Sequence, residues 1–310
     1  MGKNKLIIGT RGSELALWQA NYVKSLINSL DNNIEVELKL IKTKGDKILD
    51  TALSKIGDKG LFTKELEIEL LEGNIDLAVH SLKDLQTQIP EGLSLTAVLK
   101  RHSTNDVLIA REPNVKIEDL NKNAKVATGS LRRKSQLLNI RRDLIVEELR
   151  GNVNTRICKF LESDWEAIIL AKAGVERINL QKYISSVISV EQIIPAVGQG
   201  ALAIETNINN NFVNDFIKSL NDENTYKAVS HERSFLKALG GGCQNPIAAY
   251  CEIIGDDINI IGMVGSIDGR QIIRNKFKDK IDNNNNIGQK LANNLIQEGA
   301  LEIISNNSNI

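Results

Sequence analysis

Through the first two thirds of the chain, short apolar runs alternate with stretches whose apolar residues return at helical spacing. "KLIIG" (5–9) reads as a strand, and after it Ser13 is placed to cap a helix with Leu15, Trp18, Tyr22, Leu26 and Leu30 on one face. "VELKLI" (36–41) predicts a second strand, "LFTKELEIELLEG" (61–73) a helix stopped by Gly73, and "IDLAVHS" (75–81) a third strand. The pattern restarts with strands at "DVLIA" (106–110), "KVATG" (125–129), "LIVEEL" (144–149) and "AIILA" (167–171), with helices beginning at Ser130 and Asn152. This β-α order predicts two similar α/β lobes, each a mostly parallel sheet covered by helices.

From about residue 218 the pattern changes. A helix (222–238) leads into "LGGGCQNPIA" (239–248), and the next thirty residues alternate apolar and polar positions with turn signals at "GDD" and "DGR". A last helix, "IGQKLANNLIQEGA" (287–300), follows an Asn-rich loop. The expected fold class is therefore α/β: two α/β lobes plus a small α+β third domain. The Asn-rich segments are compositional drift, not a repeat.

Composition narrows the function. Lys plus Arg and Asp plus Glu both number 39, so the net charge is zero, and aromatics are only 4% of residues. Neither value suits a protein that holds nucleic acid by bulk positive charge or stacking platforms, so no nucleic-acid partner is expected. Three cysteines at 158, 243 and 251 and three scattered histidines lack metal-ligand spacing, which argues against a metal site. No run of about 18 apolar residues is present, and the apolar run at the start is too short for a signal peptide. The expectation is a soluble, cytoplasmic protein with reduced thiols and no membrane partner.

The unusual residues gather at strand-to-helix turns, which in a parallel sheet lie at the carboxyl edge where ligands bind. "GTRGS" (9–13) offers Arg11 and Ser13; "ATGSLRRK" (127–134) offers Thr128, Ser130, Arg132 and Arg133; "LRGNVNTR" (149–156) offers Arg150 and Arg156. Guanidinium forks beside helix N-termini favour carboxylate or phosphate. Five such arginines in a chain of zero net charge point to a polyanionic ligand between the lobes. "VHSLKDLQ" (79–86) adds Lys83 and Asp84; the acid is either a surface ion pair or helix cap, or a carboxylate that handles a proton among cations. The segment 42–60, charged and punctuated by glycine, is either a lid or a plain loop. Cys243 follows three glycines and precedes Pro246, which suits a small residue capping a turn or an attachment point for something bulky.

Taken together, "TRGSELALWQA", "TKGDKILDTALSKIGDKGLFTKELE", "VHSLKDLQ", "GSLRRKSQL", "LRGNVNTR", "IPAVGQGALAIE" and "LGGGCQNPI" resemble the porphobilinogen deaminase family, in the family's order and through nearly the whole chain. The resemblance implies two lobes like type II periplasmic binding proteins, at 1–99 with 200–217 and at 100–199, plus a domain at 218–310 carrying the cofactor cysteine. It implies a transferase of tetrapyrrole (porphyrin, heme) biosynthesis: stepwise head-to-tail condensation of four porphobilinogen molecules with loss of ammonia, then hydrolysis to hydroxymethylbilane.

By the same resemblance, Cys243 holds a dipyrromethane cofactor through a thioether, and Asp84 is the catalytic carboxylate. Lys83, Asp84, Thr128, Ser130, Arg132, Arg133, Arg150 and Gly151 match cofactor-binding positions. Arg11, Ser13, Arg150, Arg156, Arg177 and Gln199 match positions that bind substrate side chains, while Lys59 and Phe62 match lid residues. A monomer is implied. One departure stands out: the family usually reads Gly-Thr-Ser-Ser-Leu-Arg-Arg where this chain has "ATGSLRR", so Ala127 and Gly129 leave one hydroxyl fewer. The rival from another class is a non-catalytic anion-binding protein on the same scaffold, which explains the arginines but neither the Lys83–Asp84 pair nor the cysteine loop.

Overall fold

The structure, a computed structural model, describes residues 5–47, 60–242, 244–281 and 286–307. The chain begins with β1 (Lys5–Thr10) and α1 (Glu14–Leu30), whose first turn is capped by Ser13: its Oγ accepts from the Ala16 N–H at 3.3 Å. β2 (Glu35–Leu40), the single turn α2 (Lys44–Lys47), α3 (Lys64–Leu71), β3 (Leu77–Ser81) and β4 (Leu93–Val98) follow. α3 is shorter than the periodicity predicts because residues 60–63 form a turn, with Gly60 at φ 80°, before helical geometry begins.

The next stretch runs through β5 (Asp106–Ala110), β6 (Lys125–Ala127), α4 (Leu131–Ile140), β7 (Ile145–Glu147), α5 (Val153–Glu162), β8 (Ala167–Ala171), α6 (Lys172–Arg177) and β9 (Ser186–Val187). Ser130 and Asn152 cap α4 and α5, as their positions predict. β10 (Leu202–Asn207), α7 (Asn211–Lys218) and α8 (Glu223–Ala238) lead to the antiparallel strands β11 (Ile247–Ile254), β12 (Asp257–Gly265) and β13 (Ile272–Lys280). The last predicted helix is two, α9 (Ile287–Gln297) and α10 (Ala300–Asn307), divided where Gly299 takes φ 99°.

The described residues of Met1–Leu49, Asp58–His102 and Ala201–Lys227 form one compact unit, and those of Ser103–Gly200 and Ala228–Ile310 form another. The first unit holds the sheet β2-β1-β3-β10-β4. Its strands β1, β2 and β3 are parallel, but β10 runs against both neighbours, so the sheet is mixed. The reason is the chain path: β10 starts opposite Ser81, at the carboxyl edge of β3, and must run back through the sheet. Leu6, Ile8, Val23, Ile27, Ile204 and Val213 fill the core on one face under α1 and α7; Ile41, Leu66, Leu70 and Ile75 fill the other under α3.

The second unit repeats the plan as β7-β6-β8-β5-β9, with β6 parallel to β7 and β8 and with β5 antiparallel. Leu137 of α4 packs on one face; Ile157 and Phe160 of α5 pack on the other. This unit also carries the sheet β11-β12-β13, whose face is covered by Phe235 of α8 and Leu291 and Leu295 of α9. A Cβ at Gly262 would lie 2.7 Å from the Phe235 ring, so the bare glycine is what lets that ring seat on β12. On the other face, Ala248 and Met263 pack with Ile194.

Candidate active site

In the first unit, the turns after β1, β2 and β3 share the carboxyl edge of the sheet. Arg11, just after β1, donates from Nε to Asp46 of α2 at 3.1 Å, and its Nη2 also donates to that carboxylate. The guanidinium lies 4.2 Å from the centre of the Phe62 ring. Gly45 makes room for that ring, since a Cβ there would fall 2.2 Å from Phe62 Cε1. Asp46 also accepts from the Thr43 hydroxyl at 2.8 Å and the Thr43 N–H at 3.2 Å. Burial pushes the Asp46 carboxyl up, but the bonds and charge of Arg11, with the Thr43 donors, outweigh it and hold the pKa below the usual range.

Lys83 and Asp84 sit on a 3₁₀ turn, Leu82–Asp84, directly after β3. Leu82 and Leu85 are buried and anchor the turn; the Leu82 N–H donates to the Ala201 carbonyl at 3.1 Å and the Leu85 N–H to the Leu82 carbonyl at 3.1 Å. Asp84 is thereby presented exposed at the sheet edge, with Lys83 half-buried beside it. Behind the turn, His80 Nε2 lies 2.9 Å from Glu205 Oε2, both buried. Burial raises the pKa of Glu67 on the neighbouring α3.

The second unit places its residues on the equivalent edge. Thr128 follows β6, is buried, and accepts through Oγ1 from the Ser130 N–H at 3.3 Å; Ser130 Oγ in turn accepts from the Arg133 N–H at 3.4 Å. Arg150 and Arg156 are half-buried near the N-terminus of α5, with Arg156 Nε donating to the Gly151 carbonyl at 2.8 Å. Gly151 holds φ 114°, a conformation side chains rarely adopt. Arg177, buried at the end of α6, donates to the Gly200 carbonyl at 2.8 Å. At Gly129 a Cβ would stand 2.4 Å from the Leu149 carbonyl oxygen, so the departure from the usual serine matches the local backbone here.

Arg132 and Arg133 do not lie on the surface: each is only 5% exposed. Both turn inward onto Asp106, the first residue of β5, which is fully buried. Arg132 Nη2 donates to Asp106 Oδ2 at 2.8 Å and Nη1 to the Ile194 carbonyl at 2.7 Å. Arg133 Nη2 donates to Asp106 Oδ1 at 2.7 Å and Nη1 to the Ile169 carbonyl at 3.0 Å. Gln199 Nε2 completes the group, donating to Asp106 Oδ1 at 2.9 Å and to the Thr104 carbonyl at 2.6 Å. Burial pushes the Asp106 carboxyl up, yet the two guanidiniums outweigh it and hold its pKa well below the usual range. Two cations share one anion, so the cluster is net positive. The buried Nε–H groups of Arg132 and Arg133 have no acceptor among the described residues, and orphaned buried donors of this kind suit an anionic ligand.

Sequence reasoning missed Asp106 and Asp46. The available signal for Asp106 was a carboxylate opening the otherwise apolar run "DVLIA". Cys243 and Lys59 lie outside the described residues. The loop that leads to Cys243 is set by its glycines: Gly240 takes φ 62° to end α8, and a Cβ at Gly241 would lie 2.5 Å from Ile247 Cδ1. Of the other cysteines, Cys251 is buried in β11 and Cys158 is exposed on α5.

Comparison with known proteins adds a match over nearly the whole chain. The family description "Porphobilinogen deaminase, dipyromethane cofactor binding domain" fits residues 6–215, and "Porphobilinogen deaminase, C-terminal domain" fits residues 226–297. The chain belongs to the porphobilinogen deaminase family. Relatives named porphobilinogen deaminase include those of Chlorobium phaeobacteroides, 46% identical over 98% of each chain, and Campylobacter hominis, 48% identical over 97% of each. That of Syntrophomonas wolfei is 46% identical over 96% of this chain and 97% of its own. Among solved structures, the methionine binding protein MetQ is similar with a TM-score of 0.45 at 12% identity, covering 74% of this chain and 95% of that one. No described helix is long and apolar enough to cross a membrane.

Proposed function

We propose that this chain condenses four porphobilinogen molecules head to tail, with loss of ammonia, and releases the linear tetrapyrrole hydroxymethylbilane by hydrolysis. The observation that carries the reading is the buried cationic cluster of Arg132, Arg133 and Asp106, with two orphaned N–H groups, within a chain that belongs to the porphobilinogen deaminase family. Such a cluster fits a group bearing acetate and propionate side chains.

Bound through the Cys243 sulfur, a dipyrromethane group supplies the nucleophilic pyrrole carbon from which assembly starts. Arg132, Arg133, Thr128, Ser130, Arg150, Gly151 and Lys83 hold its carboxylates. Arg11, Ser13, Arg156 and Arg177 take those of the incoming substrate; Gln199, expected among them, spends both side-chain N–H groups on Asp106 and the Thr104 carbonyl and so offers no donor to a carboxylate. Arg11 donates to Asp46 and lies on the Phe62 ring, so a substrate carboxylate would meet a guanidinium already oriented by these two.

In this reading Asp84 is the carboxylate that serves the reacting carbon. When the C–N bond of the substrate breaks, its electron pair leaves with ammonia and positive charge stays on the pyrrole. The Asp84 carboxylate stabilises that charge, and its position on a turn anchored by Leu82 and Leu85 means little reorganisation is needed. By resemblance to the family, Lys59 and Phe62 take the lid role and keep water from the reacting carbon. The domain division follows the family: lobes at 1–99 with 200–217 and at 100–199, and a cysteine-bearing domain at 218–310, in a cytoplasmic monomer.

The test is a colour reaction of denatured, purified protein with an aldehyde reagent for pyrroles, joined to an assay of ammonia release from porphobilinogen. The reading predicts a positive reaction and ammonia in step with porphobilinogen consumed. Porphobilinogen binding with neither colour nor ammonia would favour a non-catalytic anion binder.

A further inference from the structure

We infer that Asp106 is a positioning residue for cofactor capture: its single buried carboxylate sets where the guanidiniums of Arg132 and Arg133 stand. The inference rests on the reading above that these arginines hold cofactor carboxylates.

The topology explains why an acid on β5 can do this. β5 is antiparallel to β8, and Asp106 pairs with Ala171, the last residue of β8. The start of β5 therefore lies on the edge where β6 and β8 end, beside the turn that launches α4. From there one carboxylate reaches both arginines and Gln199, at 2.7 to 2.9 Å. Each guanidinium is held at Nη2 by Asp106 and at Nη1 by a backbone carbonyl, Ile194 for Arg132 and Ile169 for Arg133. Two such anchors fix the plane of a guanidinium and hence the direction of its Nε–H. Those Nε–H groups are the buried donors without an acceptor among the described residues.

Nε–H stands beside one N–H of Nη2, and such a pair is the fork that can take a carboxylate with two parallel bonds. The direction of both forks is therefore set by Asp106, the one anchor they share and a residue that need not touch the ligand, together with one backbone carbonyl each. Asp106 also sets the charge: with it the cluster is +1, and without it two like charges are buried side by side. A misplacement of about 1 Å in such an arrangement costs up to about 10²-fold.

The test compares Asp106→Glu, Asp106→Asn and Arg132→Leu, each purified after expression under the same conditions. Two quantities are read on the folded fraction: cofactor occupancy by intact mass after denaturation, and melting temperature. Asp106→Glu keeps the charge but moves the carboxylate by one methylene. It is expected to melt within a few degrees of wild type and to lose occupancy at least tenfold, as is any folded Asp106→Asn. Arg132→Leu is expected to lose occupancy as well.

Occupancy of Asp106→Glu within twofold of wild type, while Arg132→Leu is empty, overturns the positioning role and leaves the arginine reading standing. Full occupancy in Arg132→Leu overturns the arginine reading itself, and the inference with it. If neither Asp106 variant folds, Asp106 belongs to the fold and not to the site, which also overturns the inference.

Discussion

Replacing Asp84 by Asn separates the chemistry of this site from its architecture. The 3₁₀ turn that carries Asp84 is held by buried Leu82 and Leu85 and by backbone bonds from the Leu82 and Leu85 N–H groups. None of these uses the Asp84 carboxylate, which is exposed. The amide preserves shape, so the change in unfolding free energy should stay within about 0.5 kcal/mol, the usual range for a surface substitution. The rate is another matter. On the proposed mechanism four successive substrates each develop positive charge beside this group, and a positioned carboxylate contributes about 10²–10⁴-fold. That corresponds to roughly 2.7–5.4 kcal/mol of transition-state stabilisation at 1.36 kcal/mol per factor of ten. The assay is porphobilinogen consumption per mole of cofactor-bearing protein, alongside urea unfolding of the same preparations. Turnover within tenfold of wild type would refute the role assigned to Asp84. A destabilisation above about 1 kcal/mol would show instead that the residue supports the turn.

Gly129→Ser should lower the melting temperature, because its Cβ would meet the Leu149 carbonyl oxygen at 2.4 Å and overpacking of this kind costs about 1–3 kcal/mol; unchanged melting would mean the turn moves freely. Glu67→Gln should stabilise the protein at pH 8 but not near pH 4. Burial raises the Glu67 pKa, so its stabilising, protonated form is lost as pH rises through that raised value, whereas the amide never ionises; equal effects at both pH values would contradict this. Arg11→Leu removes a guanidinium paired with Asp46 and stacked on Phe62. It should leave cofactor occupancy intact while partly elongated enzyme species accumulate in mass spectra, and an unchanged species distribution would place Arg11 outside substrate binding.

Local features were legible in the sequence wherever a single residue type has one strong local role. Ser13 caps the helix it was expected to cap, and the helices expected from Ser130 and Asn152 begin there with those residues as caps, since a short polar side chain before an apolar-periodic run has few other uses. The antiparallel sheet of the third region followed from strict alternation between turn signals. Strand direction within the lobes was not legible, because β5 and β10 have the same apolar character as their parallel neighbours. Nor was the burial of Arg132 and Arg133. Their position after a strand placed them at the carboxyl edge of the sheet, but only the partner on a strand twenty-six residues earlier shows that they are held from within. An ion pair between residues that distant leaves no local pattern.

The central claim is that this chain carries a dipyrromethane group on one cysteine and builds from it. Mass spectrometry of wild-type protein after chymotryptic cleavage, which cuts at Tyr250 and so parts Cys243 from Cys251, tests it most directly, since only three residues can bear a thioether: Cys158, Cys243 and Cys251. The account predicts an adduct of two linked porphobilinogen-derived units on the Cys243 peptide, and unmodified Cys158 and Cys251. Active protein with the adduct elsewhere, or with no adduct at all, would contradict it.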